Sequence, residues 1–322
     1  MKSSLHYVGV GQPDISYFWE VGPLRPEDLY RLEAELPALD GPVLLHSLDG
    51  FMDAGSAGRL VRDHILETLE HRVLATFDLD ELIDYRARRP MMTFDGDHYA
   101  DYEKPTLRLH LVQDTVGQDF LLLAGPEPDR GWDTFVAAVT SLVAELGVRL
   151  AVTVHGIPMG VPHTRPIGLT AHATRPELLT WPKSPFGKVQ VPASAASLLE
   201  YRLGEAGHDA MGFAIHVPHY LAQSSYPGAA VTALETLVNA TGLAIPGDGL
   251  REAAAETDRE IASQVEGSDE VKKVVEALEQ QYDAFAGSLD RESLLAEETP
   301  MPTADELAAQ FERFLAEQEG DS

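Results

Sequence analysis

Short apolar runs, each followed by a stretch of helical periodicity, recur through the first 245 residues. Pro42 to Leu48 (P-V-L-L-H-S-L) is a buried strand by this pattern, and a helical stretch follows it to about Leu69. Further strand candidates are Arg72–Phe77, Thr106–Val112, Phe120–Ala124, Leu150–His155 and Ala210–His216. Helices are expected over Gly131 to Leu146, Ala193 to Ala206 and Gly228 to Thr241. In the first of these, Phe135, Val139, Leu142 and Leu146 return at near-helical spacing. Strands that are apolar almost without interruption are covered on both faces. The pattern therefore predicts a three-layer α/β/α sandwich around a largely parallel or mixed sheet. Met92 to Pro105 is rich in Asp, Gly and Tyr and breaks the alternation, so a hairpin or a flap over the sheet edge is expected there.

The breaker Pro246-Gly247-Asp248-Gly249 coincides with a shift in charge. The 322-residue chain carries a formal charge of −28, and residues 251–322 hold 20 acidic and 6 basic side chains, a net of −14. Two units are expected: an α/β/α domain over 1–245 and an acidic helical segment over 246–322. Leu250, Ala254, Ile261 and Val265 define one amphipathic helix of that segment, and Val271, Val274, Leu278, Tyr282 and Phe285 a second. Leu307, Phe311, Phe314 and Leu315 define a third, opened by a capping box at Thr303-Ala304-Asp305-Glu306 just after Pro302. Their stripes either pack on the body and on each other or bind a partner chain.

The chain has no cysteine, which removes disulfides, thiolate metal sites and cysteine nucleophiles and suits a reducing compartment. The acidic balance argues against binding to nucleic acid or to an anionic membrane, both of which need a basic face. No run of 18 apolar residues and no signal-peptide pattern at Met1 to Val10 occur, and a cytoplasmic location is expected.

Ligands of open α/β sheets bind beyond the carboxyl ends of the strands. Polar, Gly- and Pro-rich segments follow four of the expected strands: His46 to Gly55, Gly125 to Asp129, His155 to Pro166 and His216 to Tyr220. Parallel strands would bring these onto one rim. Asp53 and His155 are the candidate catalytic groups, and Asp49, Glu127, Asp129, His163, Arg165, His216 and His219 the candidate binding residues. Asp53 has a second role open to it as the cap of the following helix. The histidines could be hydrogen-bonded structural residues. Arg86-Ala87-Arg88-Arg89, the one basic cluster, could hold a phosphate or carboxylate or pair with acidic neighbours. His216 and His219 flank Pro218 and do not share a helical face, and no metal or cofactor is expected. Phosphate-loop, G-x-S-x-G and dinucleotide motifs are absent.

Asp49-Gly50-Phe51-Met52-Asp53-Ala54-Gly55 after a buried strand resembles the G-[WF]-x-D-A-G signature of the proteasome assembly chaperone family. The Gly125-Pro126-Glu127-Pro128 turn and the Gly156-Ile157-Pro158 loop are similar to its later motifs. The run from Gly156 through Pro166, with Thr170-Ala171-His172-Ala173-Thr174, looks like the family's actinobacterial-type, uncharacterised branch. The resemblance spans about residues 40–245. It implies a phosphorylase/hydrolase-like α/β/α fold and homo-oligomerisation, often as a trimer or another small ring. In better-known relatives it implies binding to proteasome α-subunits through a C-terminal hydrophobic–Tyr–X tail. This chain ends Glu319-Gly320-Asp321-Ser322, so docking by such a tail is not expected.

Two functions are compatible with these features. The first is a non-enzymatic protein-interaction or assembly factor. The second is a small-molecule-binding protein, or a hydrolase- or phosphorylase-like enzyme, in which Asp53 or His155 moves a proton and Arg165 holds an anion.

Overall fold

The computed structural model describes residues 25–33, 35–181 and 187–292. Ten strands and six α-helices follow one another along these residues. They are β1 (Tyr30–Leu32), β2 (Val43–Asp49), α1 (Ala57–Thr68), β3 (His71–Phe77), β4 (Met92–Asp95), β5 (His98–Tyr102), β6 (Arg108–Gln113) and β7 (Asp119–Pro126). Then come α2 (Trp132–Glu145), β8 (Leu150–Met159), β9 (Leu169–Ala173), α3 (Ala195–Glu205), β10 (Ala210–Pro218), α4 (Pro227–Thr241), α5 (Asp248–Glu266) and α6 (Asp269–Glu292). Eight strands form one sheet in the order β1-β3-β6-β7-β2-β8-β10-β9. Its centre is parallel, β7 to β2, β2 to β8 and β8 to β10, and the flanking pairs are antiparallel. The chain is thus a mixed α/β protein with helices on both faces of a large sheet.

Alternation along the central strands explains the three layers. Leu45, Leu122, Val152 and Phe213 face α1, α4 and α5 and pack with Val61, Ile65, Leu234, Leu237, Leu250 and Ile261. Their sequence neighbours Leu44, Leu121, Leu123 and Ala151 face the other way, against Phe135, Val139 and Leu142 of α2 and Leu199 and Leu203 of α3. Each fully buried large apolar side chain contributes roughly 1.5–3 kcal/mol, so a strand apolar at every position feeds both cores.

Three elements differ from the expectation. Gly156 to Met159 extend β8 instead of forming a loop, paired in register with Ile215 to Pro218. β2 pairs with β8 only as far as Leu45↔Val152. Beyond that point β8 has one free edge, where the missing N–H of Pro158 is tolerated. Leu169–Ala173, for which the sequence gives no strand signal, is the antiparallel edge strand β9. Tyr30–Leu32, expected as nothing in particular, forms β1 at the opposite edge. Met92 to Tyr102 forms a separate two-stranded hairpin.

The Pro246 breaker lies between α4 and α5. His64 Nε2 of α1 donates to the Pro246 carbonyl at 2.6 Å, and Leu250 and Ile261 join the core of the α1 face. In α6, Val275 and Leu278 are buried. The expected third helix around Leu307 to Leu315, with its capping box, lies outside the described residues. Among the described residues, no helix is long and apolar enough to cross a membrane.

Candidate functional site at the carboxyl ends of the strands

The four parallel strands end on the same side of the sheet, and the loop after β2 is built around Asp53. Its Oδ1 accepts the backbone N–H of Gly58 at 2.9 Å and of Gly156 at 2.8 Å, and its Oδ2 accepts that of Arg59 at 2.9 Å. The carboxylate therefore caps α1, where orphan amides and the helix dipole favour a negative charge, and ties the helix start to β8. The glycines of the segment make this closeness possible. A Cβ on Gly58 would collide with the Val154 carbonyl, and one on Gly156 with the Ala54 carbonyl. Gly55 adopts φ 66°, a left-handed conformation that glycine enters without a steric cost. Its N–H donates to the Ala222 carbonyl at 3.0 Å, and its carbonyl accepts from the Tyr226 N–H at 2.8 Å. Phe51 and Met52 are left pointing to solvent, 40% and 42% exposed.

The remaining rim residues divide into two groups. On one side, Arg88 donates to the carbonyls of Asp49 and Glu127 and to Asp129 Oδ1. Asp49 Oδ2 accepts from Arg62 at 2.5 Å, and Asp129 Oδ2 accepts the Asp84 N–H at 2.6 Å. Glu127 is buried, and its Oε1 accepts the Ala195 N–H at 2.6 Å, capping α3. On the other side, Tyr220 Oη accepts the His163 N–H at 2.9 Å and lies 2.7 Å from His163 Nδ1. Arg165 makes a two-pronged pair with Asp283 at 2.8 and 2.7 Å and also donates to Glu279 at 3.2 Å. Thr164 donates to Glu279 as well, so α6 is held against the loop that follows β8. His219 is exposed at the end of β10, its ring edge-on to Tyr220.

His155 belongs to a different constellation. Thr153 and Gly212 stand opposite one another across the β8–β10 ladder, and Gly212 stands opposite His172 across the β10–β9 ladder. Thr153 Oγ1 donates to the His46 carbonyl at 3.0 Å. His155 lies two residues further along β8, its ring centroid 6.5 Å from that of His172. His172 Nδ1 is 2.9 Å from Glu200 Oε1 on α3. A Cβ on Gly212 would overlap the His172 ring, so glycine leaves room for that imidazole on the sheet. Both ring nitrogens of His46 and Oε2 of Glu200 are buried without a partner. Burial holds His46 as a neutral imidazole with a pKa lowered to about 4, and burial also lowers His155. His216, lowered by burial too, bonds Thr170 Oγ1 at 2.9 Å.

Sequence reasoning missed His46, His172 and Glu200. For His46 the available signal was a histidine inside the otherwise apolar run Pro42 to Leu48; His172 and Glu200 carried none. Among the described residues, no group of His, Asp and Glu is arranged to hold a metal ion. A cleft of about 390 Å³ lies at the β1–β3–β6 edge between Tyr30, Phe77, Tyr85, Lys104 and Arg108, and none of the predicted site residues lines it.

A family model described as the PAC2 family matches residues 47–265. The chain is similar to a Mycobacterium tuberculosis protein of unknown function, at 44% identity and a TM-score of 0.80 over 91% of this chain and 97% of that one. It is similar to a Corynebacterium glutamicum protein of unknown function, at 38% identity and a TM-score of 0.76 over 80% and 97%. A Mycobacterium tuberculosis proteasome-assembly chaperone homologue shares the fold at 22% identity and a TM-score of 0.65, over 72% and 99%. No curated protein matches the chain.

Proposed function

Because the chain belongs to the PAC2 family, we propose that it is a non-enzymatic, cytoplasmic protein-interaction or assembly factor that acts as a homo-oligomer on proteasome-related partners. One observation carries the reading. The signature loop spends its polar groups on the protein's own backbone, through Asp53, Gly55 and Gly156, and turns Phe51 and Met52 outward. Phe and Met are enriched at protein–protein interfaces, whereas a catalytic carboxylate needs free valence towards a substrate. The alternative, ligand binding or hydrolysis at the strand ends, is disfavoured by the same bookkeeping. Arg165, its anion-holding residue, is paired with two carboxylates of α6.

The test is affinity capture with the full-length chain, comparing wild type with F51S/M52S. The reading expects proteasome subunits, or factors that assemble them, to be retained by wild type and lost from the double variant. Retention of no protein by wild type would sink it.

A further inference from the structure

We propose that the cleft at the carboxyl end of β3 binds a small zwitterion, an α-amino acid with an apolar or aromatic side chain. β6 runs antiparallel to both β3 and β7, so β3 points the same way as the four parallel strands. Its carboxyl end therefore opens on the side of the sheet where α/β proteins hold ligands, at the opposite edge from β9. At about 390 Å³ the cleft falls at the small end of the range for ligand pockets. That size suits a single amino acid better than a nucleotide or a peptide. The cleft is separate from the signature loop, and the proposal goes beyond the interaction reading above.

The charged side chains of the cleft sort into two sets. Asp28 accepts from Arg25 at two positions, both 2.8 Å, and Glu33 accepts from Arg31 at 2.8 Å. Lys104, Arg108, Asp78 and Asp80 also line the cleft, and none of them has an ion-pair partner among the described residues. Arg108 is close enough to Glu33 to help lower its carboxyl, after Arg31 and Thr76, but not to pair with it. Two cations and two carboxylates thus face one space without neutralising each other. A ligand carrying both charges completes that pattern, whereas a plain anion would meet the aspartates and a plain cation Lys104 and Arg108. The acidic wall is already fixed. Asp78 Oδ1 accepts the Asp80 N–H at 3.0 Å, Asp80 Oδ1 accepts the Tyr85 hydroxyl at 2.7 Å, and the Asp78 N–H donates to the Leu29 carbonyl at 2.8 Å. Neither Oδ2 has a hydrogen-bond partner among the described residues, so each carboxylate keeps an oxygen for an ammonium. Arg108, opposite Thr76 in the β3–β6 ladder, and Lys104 at the root of the hairpin supply the other wall. Tyr30 and Tyr85 lie between them, half-buried, with Tyr30 braced on the buried Phe77 at a centroid distance of 5.6 Å. These rings offer the surface on which an apolar side chain rests.

The test is isothermal titration calorimetry of the full-length protein with L-phenylalanine, L-leucine and two half-charged relatives, phenylpropanoate and phenethylamine. One or both amino acids are expected to bind, and each half-charged relative about tenfold more weakly than L-phenylalanine, since it forgoes one set of charge-assisted contacts. K104Q/R108Q should abolish binding of the amino acids with an unchanged melting transition, because neither side chain holds an ion pair in the fold. D78N keeps the oxygen that accepts the Asp80 N–H and should bring L-phenylalanine down towards the affinity of phenylpropanoate. F51S/M52S should bind as wild type does, so a failed capture experiment and a failed titration are told apart. No heat with either amino acid, a half-charged relative that binds as tightly as L-phenylalanine, or binding indifferent to K104Q/R108Q or to D78N would each overturn the proposal.

Discussion

The Asp53 carboxylate accepts the Gly156 backbone N–H at 2.8 Å across 103 residues of sequence, and the same oxygen holds the first turn of α1. One side chain thus fixes where a helix begins and how far a central strand continues. Asp53→Ala leaves three backbone donors without their acceptor and is expected to destabilise the fold by about 2–4 kcal/mol. Gly156→Ala forces a methyl into the Ala54 carbonyl and is expected to cost at least about 3 kcal/mol. Urea unfolding measures both. An Asp53→Ala protein of wild-type stability would show that this carboxylate is not a structural clamp.

Acid should weaken the fold through its buried histidines. Burial lowers His46 and His110 to about 4, while the unfolded chain takes up the same protons near 6.5. Between those values the unfolded state binds more protons. Stability is therefore fully present above pH 6.5 and falls as the pH drops towards 4. Each group is expected to remove about 2 kcal/mol by pH 5. Urea unfolding at pH 7 and pH 5 should show the difference, and His46→Gln should remove about half of it.

Docking of α6 depends on exposed and half-exposed charges. Arg165→Ala removes the pairs with Asp283 and Glu279 and is expected to raise amide exchange in α6 several-fold at low salt. In high salt the wild type should approach the variant. Exchange in α2 or in the central strands should not change, and a parallel rise there would mean that the pair supports the whole fold.

Phe213 is fully buried in β10 and meets Trp181 edge-on, with centroids 4.7 Å apart. Phe213→Ala is expected to cost about 3–5 kcal/mol through the lost contacts and the cavity left behind. The fluorescence of Trp181 in the native state should shift as its packing partner disappears.

The central strands were legible in the sequence because Leu44 and Leu45, or Leu121 and Leu122, must face opposite cores. The helices were legible for the equivalent reason of apolar spacing. β9 was not, since Thr170 and His172 are polar and its strand character comes from pairing with β10. The end of β8 was hidden by Gly156 and Pro158, which read as turn chemistry until the departure of β2 gives β8 a free edge. Asp53 could be recognised as a helix cap from its position alone. Its bond to Gly156 could not, nor could the group of His46, His155, His172 and Glu200, because it is assembled from three strands and a helix.

The sheet order carries a consequence for synthesis. β2 is flanked by β7 and β8, which follow it in the chain with β3 to β6 between. A growing polypeptide leaves both edges of Val43–Asp49 unpaired until Asp119–Pro126 has left the ribosome, and one edge until Leu150–Met159 follows, and the Asp53 clamp cannot close before then. Folding of this domain should therefore begin late, in one step, with most of its length already translated.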